Sequence, residues 1–128
     1  MNVKTDTKEK FSVITPVDAE IPANMTEDLK EMLLSYLQKD IPHVVLKMNE
    51  VQALSPEAAE TIALVQQKFY EKNASFVICE IPEAIEDQLE KQELLELMNT
   101  TPTESEAWDI VQMEEIEREL LGDFDEEP

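Results

Sequence analysis

Short apolar runs alternate with longer amphipathic stretches along most of the chain, and this alternation restricts the possible folds more than any other feature. The runs at 11–17, 43–48 and 75–81 are typical of buried strands. The stretch after each run spaces its apolar residues for one face of a helix. Alternating strands and helices form crossover units that cover a sheet with helices. The pattern predicts an α/β fold with a small, mostly parallel or mixed sheet of roughly four or five strands and about four helices, largely on one face.

Four helices are predicted, and the second has the clearest start. Ser55 is a good N-cap, Pro56 needs no hydrogen-bond partner for its nitrogen at the first helical position, and Glu57 suits the positive end of a helix. This helix is expected to end near Asn73. The other three are expected from an N-cap at Asn24 through Leu37, from Glu83 to Leu97, and from the capping box Thr103–Glu106 to a stop at Gly122.

The chain has the length of one domain, with 128 residues and a mass of 14.7 kDa. We expect this domain to occupy residues 1–121, with residues 1–8 forming either a weak edge strand or a flexible segment. Residues 122–128 are expected to be a flexible acidic tail, because they have little to bury. Such a tail either keeps the protein in solution or docks on a basic partner.

The charge balance excludes several classes of partner. Ten Lys and Arg against thirty Asp and Glu give a net charge of −20, which repels nucleic-acid phosphates and anionic lipid headgroups. No apolar run approaches the roughly 20 residues that cross a bilayer, and the start of the chain lacks the apolar part of a secretion signal. We therefore expect a cytoplasmic protein that binds basic or neutral partners, and neither binds nucleic acid nor inserts into a membrane.

Few residues are available to build a catalytic or cofactor site, since the chain has one glycine, one cysteine and one histidine. Phosphate-binding loops need several glycines, and Gly122 stands alone. Cys79 and His43 are the only soft metal ligands, so a zinc cluster is not expected. Cys79 is predicted to be a small buried residue of a strand, and His43 an exposed residue at a strand start. We expect no catalytic residues, no metal site and no cofactor.

The segment from Val44 to Ile62 resembles the STAS domain, the fold of bacterial anti-sigma-factor antagonists. That family has a strand of the form V-V-L-D-L-S, a short loop ending in D-S-S-G or D-S-T-G, and a helix rich in small and apolar residues. Here the strand reads V-V-L-K-M-N, with Lys47 at the family's Asp position, and the loop leads into Ser55-Pro56-Glu57-Ala58. The resemblance covers about residues 9–121 and implies a STAS-like fold. It also includes Ala19–Pro22, Phe76–Cys79 with Pro82, and Thr103–Trp108.

In the antagonists, a hydroxyl of the D-S-S-G motif is phosphorylated by a partner that is both anti-sigma factor and serine kinase. The resemblance places Pro56 and Glu57 at the two hydroxyl positions, and neither can accept phosphate. Glu57 could keep the loop in a permanently charged, phosphate-like state, or Ser55, one residue earlier, could be an alternative acceptor. A purely structural role, with Ser55 as the N-cap and Glu57 as a first-turn acid, is the third possibility.

The resemblance implies a non-enzymatic protein-interaction module in a bacterial partner-switching pathway, with an anti-sigma factor or a kinase-like ATPase as its partner. Alternatives are a STAS-like regulatory subunit of a transport ATPase complex and a small-molecule-binding STAS domain. Ala58 and Ala59 are expected to let a partner backbone approach closely. The predicted contact residues, on the loop and the first half of the second helix, are Ala53, Leu54, Ser55, Pro56, Glu57, Ala58, Ala59 and Glu60.

Overall fold

A computed structural model describes residues 1–125 and has a mixed α/β architecture. Its helices are α1 (Thr26–Leu34), α2 (Pro56–Glu71), α3 (Glu83–Lys91) and α4 (Glu104–Asp125). Its strands are β1 (Val3–Thr7), β2 (Ser12–Pro16), β3 (Glu20–Ile21), β4 (Val44–Lys47), β5 (Ala53–Leu54), β6 (Phe76–Cys79) and β7 (Thr100–Thr101).

The main sheet has five strands in the order β1-β2-β4-β6-β7. Strand β1 pairs antiparallel with β2, and the other neighbours pair in parallel. Of the two expectations for residues 1–8, the structure has the edge strand. Strands β3 and β5 form a separate two-stranded parallel pair, which the sequence pattern did not predict because each strand has only two residues. The mixed sheet of the predicted fold is confirmed.

Alternate side chains of the central strands enter two separate apolar clusters, because successive residues of a strand point to opposite faces. Leu46 and Ile78 belong to the larger cluster, which contains the buried side chains of α1, α2 and α3. Val45 and Val77 belong to the smaller cluster, together with Ala107 of α4. Three helices therefore cover one face and α4 covers the other, in agreement with the prediction that the helices lie largely on one face.

Helix α3 is shorter than predicted, because it ends at Lys91 and not at Leu97. The chain reverses at Glu93, whose φ of 60° lies in the left-handed region. The Leu94 N–H then donates to the Leu89 carbonyl at 2.9 Å, which satisfies a carbonyl at the helix end. Glycine is the usual residue at such a stop, so a glutamate there gave no sequence signal. Leu95–Leu97 forms a separate short 3-10 turn.

Helix α2 ends as predicted, and with the same geometry. Asn73 has a φ of 60°, and the Ala74 N–H donates to the Phe69 carbonyl at 2.8 Å. The predicted start of α1 was wrong, because Asn24 lies inside a 3-10 turn that precedes the helix and Met25 is the N-cap. A second 3-10 turn over 35–38 follows α1.

Helix α4 continues to Asp125, so the predicted stop at Gly122 was wrong. A glycine favours the end of a helix when it adopts a positive φ, and Gly122 does not have a positive φ. Within a helix a glycine costs about 1 kcal/mol relative to alanine, which does not by itself end the helix. Residues 126–128 of the predicted tail lie outside the described residues, and the domain boundary at residue 121 stays a prediction.

Candidate functional site

The loop between β4 and α2 is held against the segment that precedes α1. The backbone N–H groups of Gln52 and Ala53 donate to the Ala19 carbonyl at 2.7 and 3.0 Å. The Ser55 N–H donates to the Ile21 carbonyl at 2.9 Å. Two segments that are far apart in the sequence thus fix the path of the loop into α2.

The start of α2 has the predicted cap. Ser55 has an extended backbone with φ −65° and ψ 151°, and its Oγ accepts a hydrogen bond from the Ala58 N–H at 3.1 Å. Pro56 occupies the first turn, and Glu57 is the acid of that turn. The carboxylate of Glu57 therefore lies at the positive end of the helix, where a negative charge is favourable.

Two glutamines, Gln88 of α3 and Gln92 directly after its last residue, hold the same helix start in place. The side chain of Gln88 donates to the Leu54 carbonyl at 2.9 Å, and Gln92 donates to the Pro56 carbonyl at 3.3 Å. Gln88 also donates to the Gln92 side-chain oxygen at 2.9 Å. These contacts were not predicted, because a glutamine in or beside a helix has no distinctive sequence pattern.

The eight predicted contact residues divide into exposed and buried sets. Leu54, Ala58 and Ala59 are buried, and the last two have no exposed surface at all. The expectation that Ala58 and Ala59 admit a partner backbone was therefore wrong, because they pack into the core beneath α2. The residues that reach solvent, called here the α2 entry surface, are Ala53, Ser55, Pro56, Glu57 and Glu60.

His43 is buried, at 8% exposure, so its predicted surface position was wrong. Its Nδ1 accepts a hydrogen bond from the Ser75 N–H at 2.9 Å, and its Nε2 lies 2.6 Å from a carboxylate oxygen of Glu115. This geometry suits the neutral imidazole, because a proton on Nδ1 would face the Ser75 N–H. Burial lowers the pKa of His43, although Glu115 acts in the opposite direction.

A second polar cluster lies beside His43 and involves α4. The Tyr70 hydroxyl donates to Glu114 at 2.8 Å and accepts from the Asn99 side chain at 2.8 Å. Ser75 Oγ also donates to Glu114, at 2.6 Å, and accepts from Arg118 at 2.8 Å. Burial, followed by the hydrogen bond to Glu114, raises the pKa of Tyr70 to about 12. The Tyr70 phenol therefore stays protonated near neutral pH, and these bonds connect α4 to the last turn of α2 and to the residue before β6.

The first turn of α4 is attached by Lys47, at the opposite end of β4 from His43. Lys47 Nζ lies 3.3 Å from Glu104 and 3.9 Å from Glu80. The Glu104 N–H donates to Glu80 at 3.3 Å, and Glu80 has a φ of 55°. The contact with Glu104, followed by the charge of Glu80, raises the pKa of Lys47.

Cys79 is buried in β6, as predicted. Burial, followed by the nearby carboxylates of Glu80 and Glu104, raises the pKa of its thiol to about 12. A thiol with such a pKa is protonated at neutral pH and is a weak nucleophile. Among residues 1–125, no three His, Cys, Asp or Glu side chains are grouped so that they could hold a metal ion. None of the helices in this range is long and apolar enough to span a membrane.

The chain belongs to the STAS domain family, whose pattern matches residues 2–107. The family assignment from the V-V-L-K-M-N strand and the helix start at Ser55 is thus confirmed. No match was found by sequence among curated proteins.

Solved structures of anti-sigma-factor antagonists have the same fold. One from Mycobacterium paratuberculosis is 16% identical, with a TM-score of 0.75 over 87% of this chain and 93% of its own. The unphosphorylated antagonist SpoIIAA is 12% identical, with a TM-score of 0.68 over 87% and 96%. A variant of Moorella thermoacetica RsbS, in which glutamate replaces a serine, is 13% identical, with a TM-score of 0.71 over 88% and 96%. At such identities the likeness shows the fold.

Proposed function

We propose that this STAS domain is a non-enzymatic interaction module of a bacterial partner-switching pathway. In this proposal it acts like an anti-sigma-factor antagonist and binds an anti-sigma factor or a kinase-like ATPase through the α2 entry surface. The observation that carries the proposal is the braced, exposed helix start, where Glu57 stands at a position that resembles the family's phosphoacceptor site.

The rigidity of the α2 entry surface supports a role in binding. Backbone hydrogen bonds to Ala19 and Ile21 hold the loop from one side, and Gln88 and Gln92 hold it from the other. A surface that is already ordered loses little conformational entropy when a partner binds. Pro56 restricts the backbone further, because its ring fixes φ.

The charges of this surface favour a basic partner. Glu57 and Glu60 are both exposed and are three residues apart on α2, which places them on one side of the helix. The net charge of −20 adds a long-range attraction that accelerates encounter with a positive patch.

A fixed carboxylate at Glu57 distinguishes this proposal from a phosphate switch. A phosphate adds about −1.5 to −2 charges reversibly, whereas a glutamate carries its single charge at all times. In the RsbS variant a glutamate stands where that protein has a serine, so the STAS fold accommodates such a residue. Ser55 is a poorer acceptor than a free hydroxyl, because it is half-buried and its Oγ already caps α2. In this proposal the Glu57 carboxylate is a permanent part of the contact surface, so the surface is always charged and is not switched off by phosphate.

Affinity purification of the tagged chain from its native cells, with mass spectrometry of the bound proteins, tests the proposal. We expect a kinase-like anti-sigma factor to be recovered, and the double variant Glu57→Lys/Glu60→Lys to reduce its recovery at least tenfold. The control is Asp109→Lys/Glu117→Lys, which changes the net charge equally on exposed positions of α4. Equal recovery with both variants would refute the placement of the site.

Other results of the same experiment would favour the alternatives. Subunits of a transport ATPase among the bound proteins would indicate a regulatory subunit of that complex. A chain that recovers no protein but gains thermal stability with a nucleotide would indicate a small-molecule-binding domain. Phosphopeptide mapping of the purified chain checks Ser55, and phosphate on its hydroxyl would contradict the permanently charged state.

A further inference from the structure

An open groove of about 760 Å³ lies between α2 and the chain that follows α3. Leu64 and Leu97 line it from these two segments, and they are 56% and 64% exposed. Leucine side chains are normally buried when the fold allows it, because each gains about 25 cal/mol per Å² of apolar surface removed from water. Two exposed leucines that line one concavity therefore indicate a surface for binding an apolar group.

The two walls of this groove are fixed to each other. Gln66 on α2 donates through its side-chain nitrogen to the Leu97 carbonyl at 2.9 Å, and its side-chain oxygen accepts from the Asn99 N–H at 2.7 Å. Both ends of one amide group thus connect α2 to the segment that leads into β7. The groove is therefore formed before any partner binds, which lowers the entropic cost of binding.

Charge limits what the groove can receive. Glu60 and Glu71 line it, and none of its lining residues is a lysine or an arginine. Carboxylates disfavour an anionic ligand, and they favour lysine or arginine beside an apolar anchor. A second copy of this chain is a poor occupant, because each copy carries a net charge of −20.

We propose that this α2 groove receives an aliphatic or aromatic anchor side chain from a partner segment that carries lysine or arginine on both sides of the anchor. The inference rests on the proposed function, because it gives the chemistry of the partner that binds α2. Glu60 belongs both to the α2 entry surface and to the groove. The two surfaces are therefore adjacent, and one partner contacts both. The entry surface supplies charge, and the groove supplies the apolar contact.

The outer side of α4 offers an internal comparison. Met113, Ile116 and Leu120 are 59%, 57% and 58% exposed, and their spacing places them along one side of the helix. These three residues are as exposed as Leu64 and Leu97. A peptide that binds exposed apolar residues without preference would therefore bind α4 as well.

The test uses the full chain and a synthetic helical peptide with a leucine-rich side bordered by lysines. NMR of methyl-labelled protein locates the peptide, and a titration gives its affinity. We expect the methyl shifts to centre on Leu64 and Leu97. We also expect Leu64→Ser/Leu97→Ser to weaken binding at least tenfold, while Ile116→Ser/Leu120→Ser leaves it unchanged.

Two control peptides separate the apolar and charged parts of the proposal. Replacing the leucines of the peptide by serine, or its lysines by glutamate, is expected to weaken binding at least tenfold. Shifts centred on α4, unchanged affinity of the Leu64→Ser/Leu97→Ser variant, or equal binding of the glutamate peptide would each overturn the proposal. Circular dichroism of each protein variant confirms that it is folded.

Two results distinguish failure of the groove proposal from failure of the proposed function. If an anti-sigma factor is recovered equally with the wild-type chain and with Leu64→Ser/Leu97→Ser, the groove proposal fails and the proposed function stands. If the lysine peptide binds at Leu64 and Leu97 but no anti-sigma factor or kinase-like ATPase is recovered, the proposed function fails. The groove would then bind an apolar anchor bordered by basic residues from a different class of protein.

Discussion

The two faces of the central sheet hold their helices by different kinds of contact. The buried apolar residues of the face under α1, α2 and α3 form one large cluster. The face under α4 has a small apolar cluster. Polar contacts lie at the two ends of the stretch of α4 that packs on the sheet. Lys47 contacts Glu104 in the first turn of α4, and His43 contacts Glu115 farther along it.

This difference indicates separate roles for the two kinds of contact. Apolar burial is nondirectional and provides most of the free energy of folding, so the first face should dominate stability. Hydrogen bonds and ion pairs have defined geometries, so the polar contacts on the second face fix where α4 lies along the strands. His43 precedes β4 and contacts Glu115, in the later part of α4. Lys47 is the last residue of β4 and contacts Glu104, in the first turn of α4, so α4 runs antiparallel to that strand.

The largest expected effect comes from removing a large side chain on the first face. Phe69 on α2 is fully buried and packs against Phe76, with ring centroids 5.0 Å apart. We expect Phe69→Ala to lower the free energy of unfolding by about 3–5 kcal/mol, because it leaves a cavity that the core fills only in part. Urea denaturation measures this change.

A matched phenylalanine on the second face tests the comparison. Phe11 is 3% exposed and contacts Trp108, with ring centroids 5.3 Å apart. We expect Phe11→Ala to cost less than Phe69→Ala, at or below about 3 kcal/mol, since a small cluster near solvent can close around the missing ring. An equal or larger loss for Phe11→Ala would break the proposed difference between the faces.

The next effect concerns the hydrogen bonds that fix α4. His43→Ala leaves the buried Ser75 N–H without its acceptor and removes the imidazole contact of Glu115, which keeps only Arg118 at 3.5 Å. We expect a loss of about 1–3 kcal/mol, which is the usual cost of leaving a buried polar group unpaired. Glu115→Gln retains an oxygen that can accept from His43 and should cost less. If His43→Ala is no worse than Glu115→Gln, the imidazole does not anchor the helix.

The longer strands and the four helices could be predicted from local pattern, whereas the two-residue strands β3, β5 and β7 and the contacts of α4 could not. The Ser55 cap and the apolar runs around β4 and β6 depend on neighbouring residues, so the sequence indicated them directly. His43 looked like a surface residue because its partners, Ser75 and Glu115, are distant in the chain.

For the candidate site, the sequence located the helix start but not which of its residues reach solvent. A pair of alanines on a helix suits either close packing in a core or contact with a partner, and only the tertiary structure decides between them. In this chain Ala58 and Ala59 are core residues. The groove was not predicted either, because it depends on Gln66 joining two segments that are far apart in the sequence.

The pH dependence of stability gives a smaller effect on the second face. Because the folded protein lowers the pKa of His43, the unfolded chain takes up this proton at a higher pH than the folded protein does. The contribution of neutral His43 is fully present above the unfolded-state pKa of about 6.5, and it declines as the pH falls toward the lower folded-state pKa.

Urea denaturation at a series of pH values below neutral measures this decline. We expect the wild-type chain to lose stability more steeply than His43→Ala as the pH falls below about 6.5. Parallel curves for the two proteins would show that the imidazole is as easily protonated in the folded chain as in the unfolded one.

The smallest expected effect is at the first turn of α4. The Lys47 side chain is 27% exposed, and its partner Glu104 is 24% exposed. Ion pairs with access to solvent contribute about 0–1 kcal/mol, so Lys47→Met should change stability by no more than this amount. The change should disappear at about 1 M salt, where screening shortens the range of the interaction. A larger loss that persists in salt would place Lys47 among the principal anchors of α4.

The left-handed residue that ends α3 has a consequence for heat resistance. Holding a residue other than glycine in this conformation costs about 1–2 kcal/mol, and Glu93 has a φ of 60°. Glycine adopts it without that cost, although its greater freedom in the unfolded chain offsets part of the gain. Glutamate and glycine codons differ by a single base. A single nucleotide change at Glu93 therefore lies within easy evolutionary reach and would give a protein that melts at a higher temperature.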